Sequence, residues 1–451
     1  MSQFVEKTQA FLKQIERLNP SLNVFISVQA QSALEQARRV DDADRAGVSL
    51  GALHGMVISV KDNIDTAGVA ATAGAEFLRE HVPAQDAPVV QRLRDAGAIV
   101  IGKVNLAELA FGSRSYSAVG GQCRNPWNPS HIPGGSSGGS GASVAADMCE
   151  GSLGTDTGGS VRLPACFNGV SGLRPTHGRI PIRGVQPVSE HNDTVGPLAR
   201  SVQDVARLYA VIAGYDALDA TAADRPVEDV LPKMKDPISG LRIGIPRHHY
   251  FEALEAGVGE AVMAAARLLQ QHGAVLVEVD VPLARDAHFH TSRAVYADVC
   301  HVYHDRLLNA PETITASVVE RMREGFKTTG VQYAEAMAFR DQLRLGFREI
   351  FGQVDVMLSP TAPVGAPVIE DNASLLEATK AATRNTYAGA FASLPGLSIP
   401  CGFTERELPI GLQLEASWWN EATLLQLGAA YQGLTQYHEA RAPMVSGAPA
   451  A

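Results

Sequence analysis

Two clusters of glycine and serine place hydroxyl groups where bare backbone can crowd a reacting atom. "PGGSSGGSGAS" spans residues 133–143 and "GTDTGGSVR" spans 154–162. A flexible linker would join separately foldable units. Here the first run leads straight into the small-residue helix pattern "ASVAADMC", and the second cluster follows. A phosphate cradle needs GxxxxGK[ST], or GxGxxG just after a strand. No lysine follows these glycines, and "NPWNPSHIP" before them holds three prolines and no strand pattern. Residues 134–138 do match the GxSxG of a nucleophile elbow centred on Ser136. An elbow also needs a preceding strand, which Pro126, Pro129 and Pro133 oppose. It needs a histidine as well, and His177, His191 and His438 sit in no distinctive context. A third segment, "GMVISVKDN", reads as a buried strand whose end meets polar chemistry at Lys61 and Asp62.

The elements that must position these residues read as α/β. Phe4, Phe11, Ile15 and Leu18 share one helical face, and Pro20 follows as a stop. "APVVQRLRDAGAIVIGKVNLAELAFG" reads helix, strand, helix. "LRIGIP", "AVMAAARLLQQHG" and "AVLVEVDVP" form one strand–helix–strand unit. A helical stretch covers roughly 294–351, three buried strands follow in "VDVMLSPTAP", "GLSIPCG" and "PIGLQLEA", and "EATLLQLGAAYQGL" makes a last helix. Strand signals come from both halves, so one domain over residues 1–451 is expected, with a catalytic core at about 50–200. Residues 216–240 read as a surface connection and 444–451 as a frayed tail.

Bulk composition narrows the function classes. Hydrophobic residues make up 45% and charged residues 19%, enough for a large core. A net charge of −10 without a basic stripe disfavours nucleic acid as a partner. No apolar run is long enough to span a membrane, and the N-terminus lacks the apolar core of a signal peptide. The five cysteines are scattered and form no CxxC pair, which argues against disulfides or zinc and for a reducing, cytoplasmic setting.

Taken together, Lys61 in "GMVISVKDN", Ser136 in "PGGSSGGSGAS" and Ser160 in "GSLGTDTGGSVRLPACFNG" resemble the amidase signature family. The two serines are 24 residues apart, and "RLNPSLNVF", "HNDTVGPLARSVQD", "VDVMLSPTAP" and "LPIGLQLEA" look like family segments in the right order. Singly, Lys61 could be a solvated lysine at a strand end and Ser160 a helix N-cap; those accounts leave the spacing and the flanking matches unexplained. The resemblance implies a large α/β/α domain with a central mixed β-sheet covered by helices. It implies Ser160 as nucleophile, Ser136 as a bridging serine after a cis peptide bond, and Lys61 as general base. Neither metal nor cofactor is implied. Physical reasons agree. A serine hydroxyl is a poor nucleophile until a base takes its proton. A lysine serves only if burial keeps it neutral, and a serine can donate and accept one hydrogen bond at once. Backbone N–H groups of Thr157, Gly158, Gly159 and Ser160 could receive the oxyanion of a tetrahedral intermediate. By resemblance Asp156 and Arg162 hold the loop's shape, with Ser137 adding hydrogen bonds nearby.

The expected reaction is hydrolysis of a small-molecule carboxylic amide through an acyl-serine, with a homodimer as the assembly to consider. Alternatives are the glutaminase-type component of a tRNA-dependent amidotransferase and a hydrolase of urea-like acids of the allophanate or carboxybiuret type. Family analogy places an arginine for a substrate carboxylate in the helix before "VDVMLSPTAP", and Arg340 looks like its equivalent. The glutaminase type also carries an acid upstream of the late "LPG"; "KAATRNTYAGAFASLPG" has none, which counts against that role. The start is also one helix shorter than in much of the family. "FGSRSY" (111–116) and Trp418-Trp419 are read as packing in preference to pocket lining.

Overall fold

The computed structural model describes residues 2–370 and 375–446. Its strands are β1 (Phe25–Val28), β2 (Val57–Lys61), β3 (Ile99–Val104), β4 (Tyr116–Ser117), β5 (Gly121–Gln122), β6 (Gly151–Asp156) and β7 (Ser171–Arg174). They continue as β8 (Thr194–Ala199), β9 (Arg242–Pro246), β10 (Val275–Val279), β11 (Val356–Pro360), β12 (Gly396–Phe403) and β13 (Pro409–Ala416). β4 and β5 form a small hairpin, and the other eleven make one mixed sheet in the order β1-β3-β2-β6-β8-β7-β12-β13-β11-β9-β10. β2 is parallel to both β3 and β6, and β9 is parallel to β10 and β11. The antiparallel strands β8, β7, β12 and β13 join these two parallel groups.

Helices cover both faces, giving a single α/β/α domain. Strand parity explains the layers, because alternate side chains leave a strand on opposite faces. Ile58, Val60, Val100, Leu153, Leu397 and Leu412 pack in one cluster with the helices Pro88–Asp95, Val202–Ile212, Val258–Gln271 and Glu421–Leu434. Val57, Ile99 and Ile101 face the other way, against Gln3–Leu22, Ala30–Arg45 and the small-residue helix Gly138–Ala145. Lys61 shares the parity of Val57, so β2 carries it to the glycine-rich side. Farther along the sheet, Ala284–Val302 and Gly330–Gln353 pack with Met357, Phe391 and Leu394.

Several boundaries differ from the sequence reading. The first helix runs through Pro20 to Leu22 and ends on Asn23, whose φ of 49° closes the last turn. A proline so near the C-terminus removes only one bond of the ladder. The stretch expected as helix over 294–351 is four helices, Ala284–Val302, His304–Asn309, Ala316–Arg323 and Gly330–Gln353, broken around Pro311 and again before a Thr329–Gln332 capping box. Within 216–240, Val230, Met234 and Ile238 are buried in the larger cluster. Of the tail, Pro443–Ser446 forms a short helix, with Met444 and Val445 packed against the core; 447–451 lie outside the described residues. All five cysteines are buried free thiols. Among the described residues no helix is long and apolar enough to cross a membrane.

Candidate active site

β2 ends at Lys61, which is wholly buried. Its Nζ stands 2.8 Å from Ser136 Oγ and 2.7 Å from Thr155 Oγ1. Asn63 Nδ2 also donates to Thr155 Oγ1, at 3.2 Å. Burial pushes the Lys61 amine down from 10.5 to about 7, against the pull of Asp193 and Asp156. That shift corresponds to about 5 kcal/mol of lost preference for the ammonium form.

Ser136 follows a cis peptide bond from Gly135. Its carbonyl accepts from the Ala107 N–H at 3.0 Å and from Ser115 Oγ at 3.3 Å, which fixes the loop from outside. Ser137 ties the two clusters together. Its hydroxyl donates to the Thr155 carbonyl at 3.0 Å and accepts from the Thr155 N–H at 3.1 Å, and its own N–H donates to the Ser160 carbonyl at 3.2 Å. Gly135 has no room for a side chain, since a Cβ would stand 2.7 Å from the Gly112 carbonyl oxygen.

The second cluster turns around Asp156. This buried carboxylate accepts from the Gly159 N–H at 2.7 Å, the Val161 N–H at 3.1 Å, Arg162 Nε at 3.1 Å and Arg174 Nη1 at 3.1 Å. Burial would raise its pKa, but Arg162 and Arg174 outweigh burial and hold it well below the usual carboxylate range. Gly159 has φ +133°, and a Cβ there would meet Thr386 Oγ1 at 2.4 Å. Gly159 was expected among the oxyanion donors, but its N–H is committed to Asp156. The N–H groups of Thr157, Gly158 and Ser160 have no acceptor among the described residues. The Thr157 hydroxyl donates to Asp193 Oδ1 at 2.5 Å, and Asp193 Oδ2 accepts from the N–H groups of Val188 and Ser189. Val161, and not Ser160, is the N-cap of the helix Arg162–Asn168.

Ser160, Thr157, Gly158 and Gly135 line a cavity roofed by Phe111, Thr291, Val295, Arg321, Thr383 and Tyr387. Phe111, Gly112 and Ser113 of "FGSRSY" therefore do line the pocket, whereas Trp418 and Trp419 do not. Arg340 is elsewhere too. Its Nε donates to the Phe391 carbonyl at 2.8 Å, and its Nη2 donates to the His191 carbonyl at 2.8 Å and to Ser393 Oγ at 2.7 Å. Those contacts clamp the helix Gly330–Gln353 to its neighbours and leave no guanidinium edge at the cavity. Among the described lining residues Arg321 is the only charged side chain. It donates from Nε to Tyr296 Oη at 3.0 Å and from Nη1 to the Phe111 carbonyl at 3.2 Å.

A family profile described as Amidase matches residues 6–425. The chain belongs to the amidase signature family. This amidase is 36% identical over 468 residues to the GatA-type component of the glutamyl-tRNA(Gln) amidotransferase of Chloroflexus aurantiacus, covering 98% of this chain and 95% of that one. Among solved structures it matches a vestigial protein complex that bears on the origins of an s-triazine catabolic enzyme, with a TM-score of 0.92, 31% identity and coverage of 96% and 95%. The native peptide amidase of Stenotrophomonas maltophilia matches with a TM-score of 0.84, 33% identity and coverage of 96% and 94%. The chain is thus a hydrolase acting on amide C–N bonds. Sequence reasoning missed Thr155, Asp193 and Arg321. The first two lay inside segments already singled out, "GTDTGGS" and "HNDTVGP", whereas nothing around Arg321 marked it.

Proposed function

We propose that this amidase cleaves a carboxylic amide through an acyl-Ser160 intermediate, with Ser136 relaying the proton between Ser160 and Lys61. The observation that carries the reading is a wholly buried lysine amine, brought to about 7, standing 2.8 Å from Ser136 Oγ beneath the loop that bears Ser160. As a neutral amine Lys61 can donate to Thr155 and still accept the Ser136 proton on its lone pair. Ser136 then takes the proton of Ser160 as the Ser160 oxygen attacks the carbonyl carbon. The N–H groups of Thr157, Gly158 and Ser160 are the donors for the resulting oxyanion. When the C–N bond breaks, the proton returns through Ser136 to the leaving nitrogen, and water releases the acyl group by the same steps. Arg321 suits an acceptor on the substrate's acyl part, such as a carboxylate or a second carbonyl.

The amidotransferase relatives favour a second reading over the hydrolysis of a free small amide: a glutaminase-type component whose released ammonia passes to a partner protein. Against it, the described cavity lining offers no carboxylate for the ammonium of an amino acid. The two readings separate by ammonia release from aliphatic, aromatic and carboxylate-bearing amides and from glutamine, measured with and without copurifying proteins. Turnover of small amides by the chain alone supports the first reading. Turnover of glutamine alone, raised by a copurifying protein, supports the second. Ammonia release that survives Ser160→Ala would reject both.

A further inference from the structure

Glu415, on β13, is a carboxylate that the proposed mechanism does not use. It is 1% exposed, and its Oε1 lies 3.4 Å from Arg162 Nη1. Oε2 is buried with no hydrogen-bond partner. The carboxylate fits because position 389 is glycine, where a Cβ would stand 1.8 Å from Oε1. Gly396 on β12 leaves similar room, since its Cβ would lie 3.2 Å from Arg162 Cδ and 3.5 Å from Glu415 Cγ.

Arg162 connects this acid to the loop of Ser160. Its Nε and Nη2 donate to the two oxygens of Asp156 at 3.1 and 3.2 Å. Asp156 in turn orients the N–H groups of Gly159 and Val161, the residues on either side of Ser160. Two buried acids therefore share one guanidinium, in an interior where each hydrogen bond polarises the next. They differ in their other support. Asp156 has Arg174 and backbone donors as well, whereas Glu415 has Arg162 alone within ion-pair distance among the described residues. Burial raises Glu415 to about 7, with Arg162 and Arg174 pulling it down and Asp156 pushing it up. Tyr250 also faces Glu415, with a buried, unpartnered hydroxyl. The neighbouring strands and helix present Met357, Gly396 and Gly389, which do not titrate.

We propose that Glu415 is a positioning residue: its ionised carboxylate steadies Arg162, and through Arg162 and Asp156 the loop that carries Ser160, so that protonating Glu415 slackens the loop. The inference rests on Ser160 being the nucleophile. Its test is the second-order rate at which a fluorophosphonate probe inactivates the protein, followed from about pH 5.5 to 9. In the wild type the rate should fall below neutrality by more than one decade per pH unit, because Lys61 and Glu415 both take up protons. Glu415→Gln should fall by only one decade per unit, from a plateau lowered by roughly tenfold. A merely structural role would lower the rate or the stability of Glu415→Gln and leave the slope alone. A wild-type slope of one overturns the proposal even if the variant does not fold, as does a Glu415→Gln profile that matches the wild type. The Ser160→Ala protein separates the two failures. If it is inert while the wild-type slope is one, only the role of Glu415 falls; if it is still labelled, the reading of Ser160 falls and this proposal with it.

Discussion

Beneath the cavity, Lys61, Gly135, Ser136, Thr155 and Ser160 all come from one stretch of strand ends and glycine-rich loops, residues 57–162. Above it, apart from Phe111, the residues Thr291 and Val295, Arg321, Thr383 and Tyr387 come from four separate helices more than a hundred residues later. In the floor, backbone geometry dictates residue type. Gly135 and Gly159 have no space for a Cβ, and strand parity sends Lys61 to the loop side. In the roof, packing decides, and packing tolerates several side chains at one position. In the proposed mechanism the floor therefore holds groups that act on any amide, and the roof holds those that choose among amides.

The floor should break outright. Lys61→Ala should cut kcat/KM by about 10³-fold or more while the protein stays folded, because the relay then ends without a base. Near-normal rates in Lys61→Ala would remove Lys61 from the mechanism. The roof should fail differently. Arg321→Met should raise KM roughly 10- to 100-fold for amides with an acceptor on the acyl side and change kcat far less. An equal loss on acceptor-free amides would place Arg321 in folding and not in selection.

The pH profile sharpens the contrast. In the proposed mechanism the active form of Lys61 is the neutral amine, and burial lowers its pKa to about 7. Activity should therefore climb as pH rises through about 7 and be lost as pH falls below it. Arg321→Met should keep that midpoint while changing KM. The smallest catalytic effect belongs to Arg340, outside both regions. Arg340→Met leaves the Phe391 and His191 carbonyls and Ser393 Oγ without their donor. It should cost about 2–4 kcal/mol in denaturant unfolding yet leave KM within about threefold.

The same contrast explains what could be read from the sequence. The α/β class, the late strands and the last helix were legible because strand and helix periodicity are local signals, whereas the α/β/α layering around a mixed sheet came with the family resemblance. Lys61, Ser136 and Ser160 were singled out through the family resemblance, carried by glycines at fixed offsets from the serines, and the structure sets Lys61 Nζ against Ser136 Oγ at 2.8 Å. Arg321 was not, because its place depends on how the helix Ala316–Arg323 packs over Phe111, a contact between residues about two hundred positions apart. Arg340 was chosen, by family analogy, for lying in a helix before β11, and the sequence carried no sign that its Nε and Nη2 would be turned to the Phe391 and His191 carbonyls and to Ser393 Oγ. Gly159 was counted with Thr157, Gly158 and Ser160 as an oxyanion donor because bare backbone can approach a substrate, and the turn through Asp156 claims its N–H.

The central claim is that Ser160 attacks and Ser136 relays. Treating the protein with a fluorophosphonate at about pH 8 and mapping the modified peptide by mass spectrometry tests it most directly. The account predicts the adduct on Ser160, absent in Ser160→Ala and strongly slowed in Lys61→Ala. An adduct on Ser136 with Ser160 unmodified would contradict it.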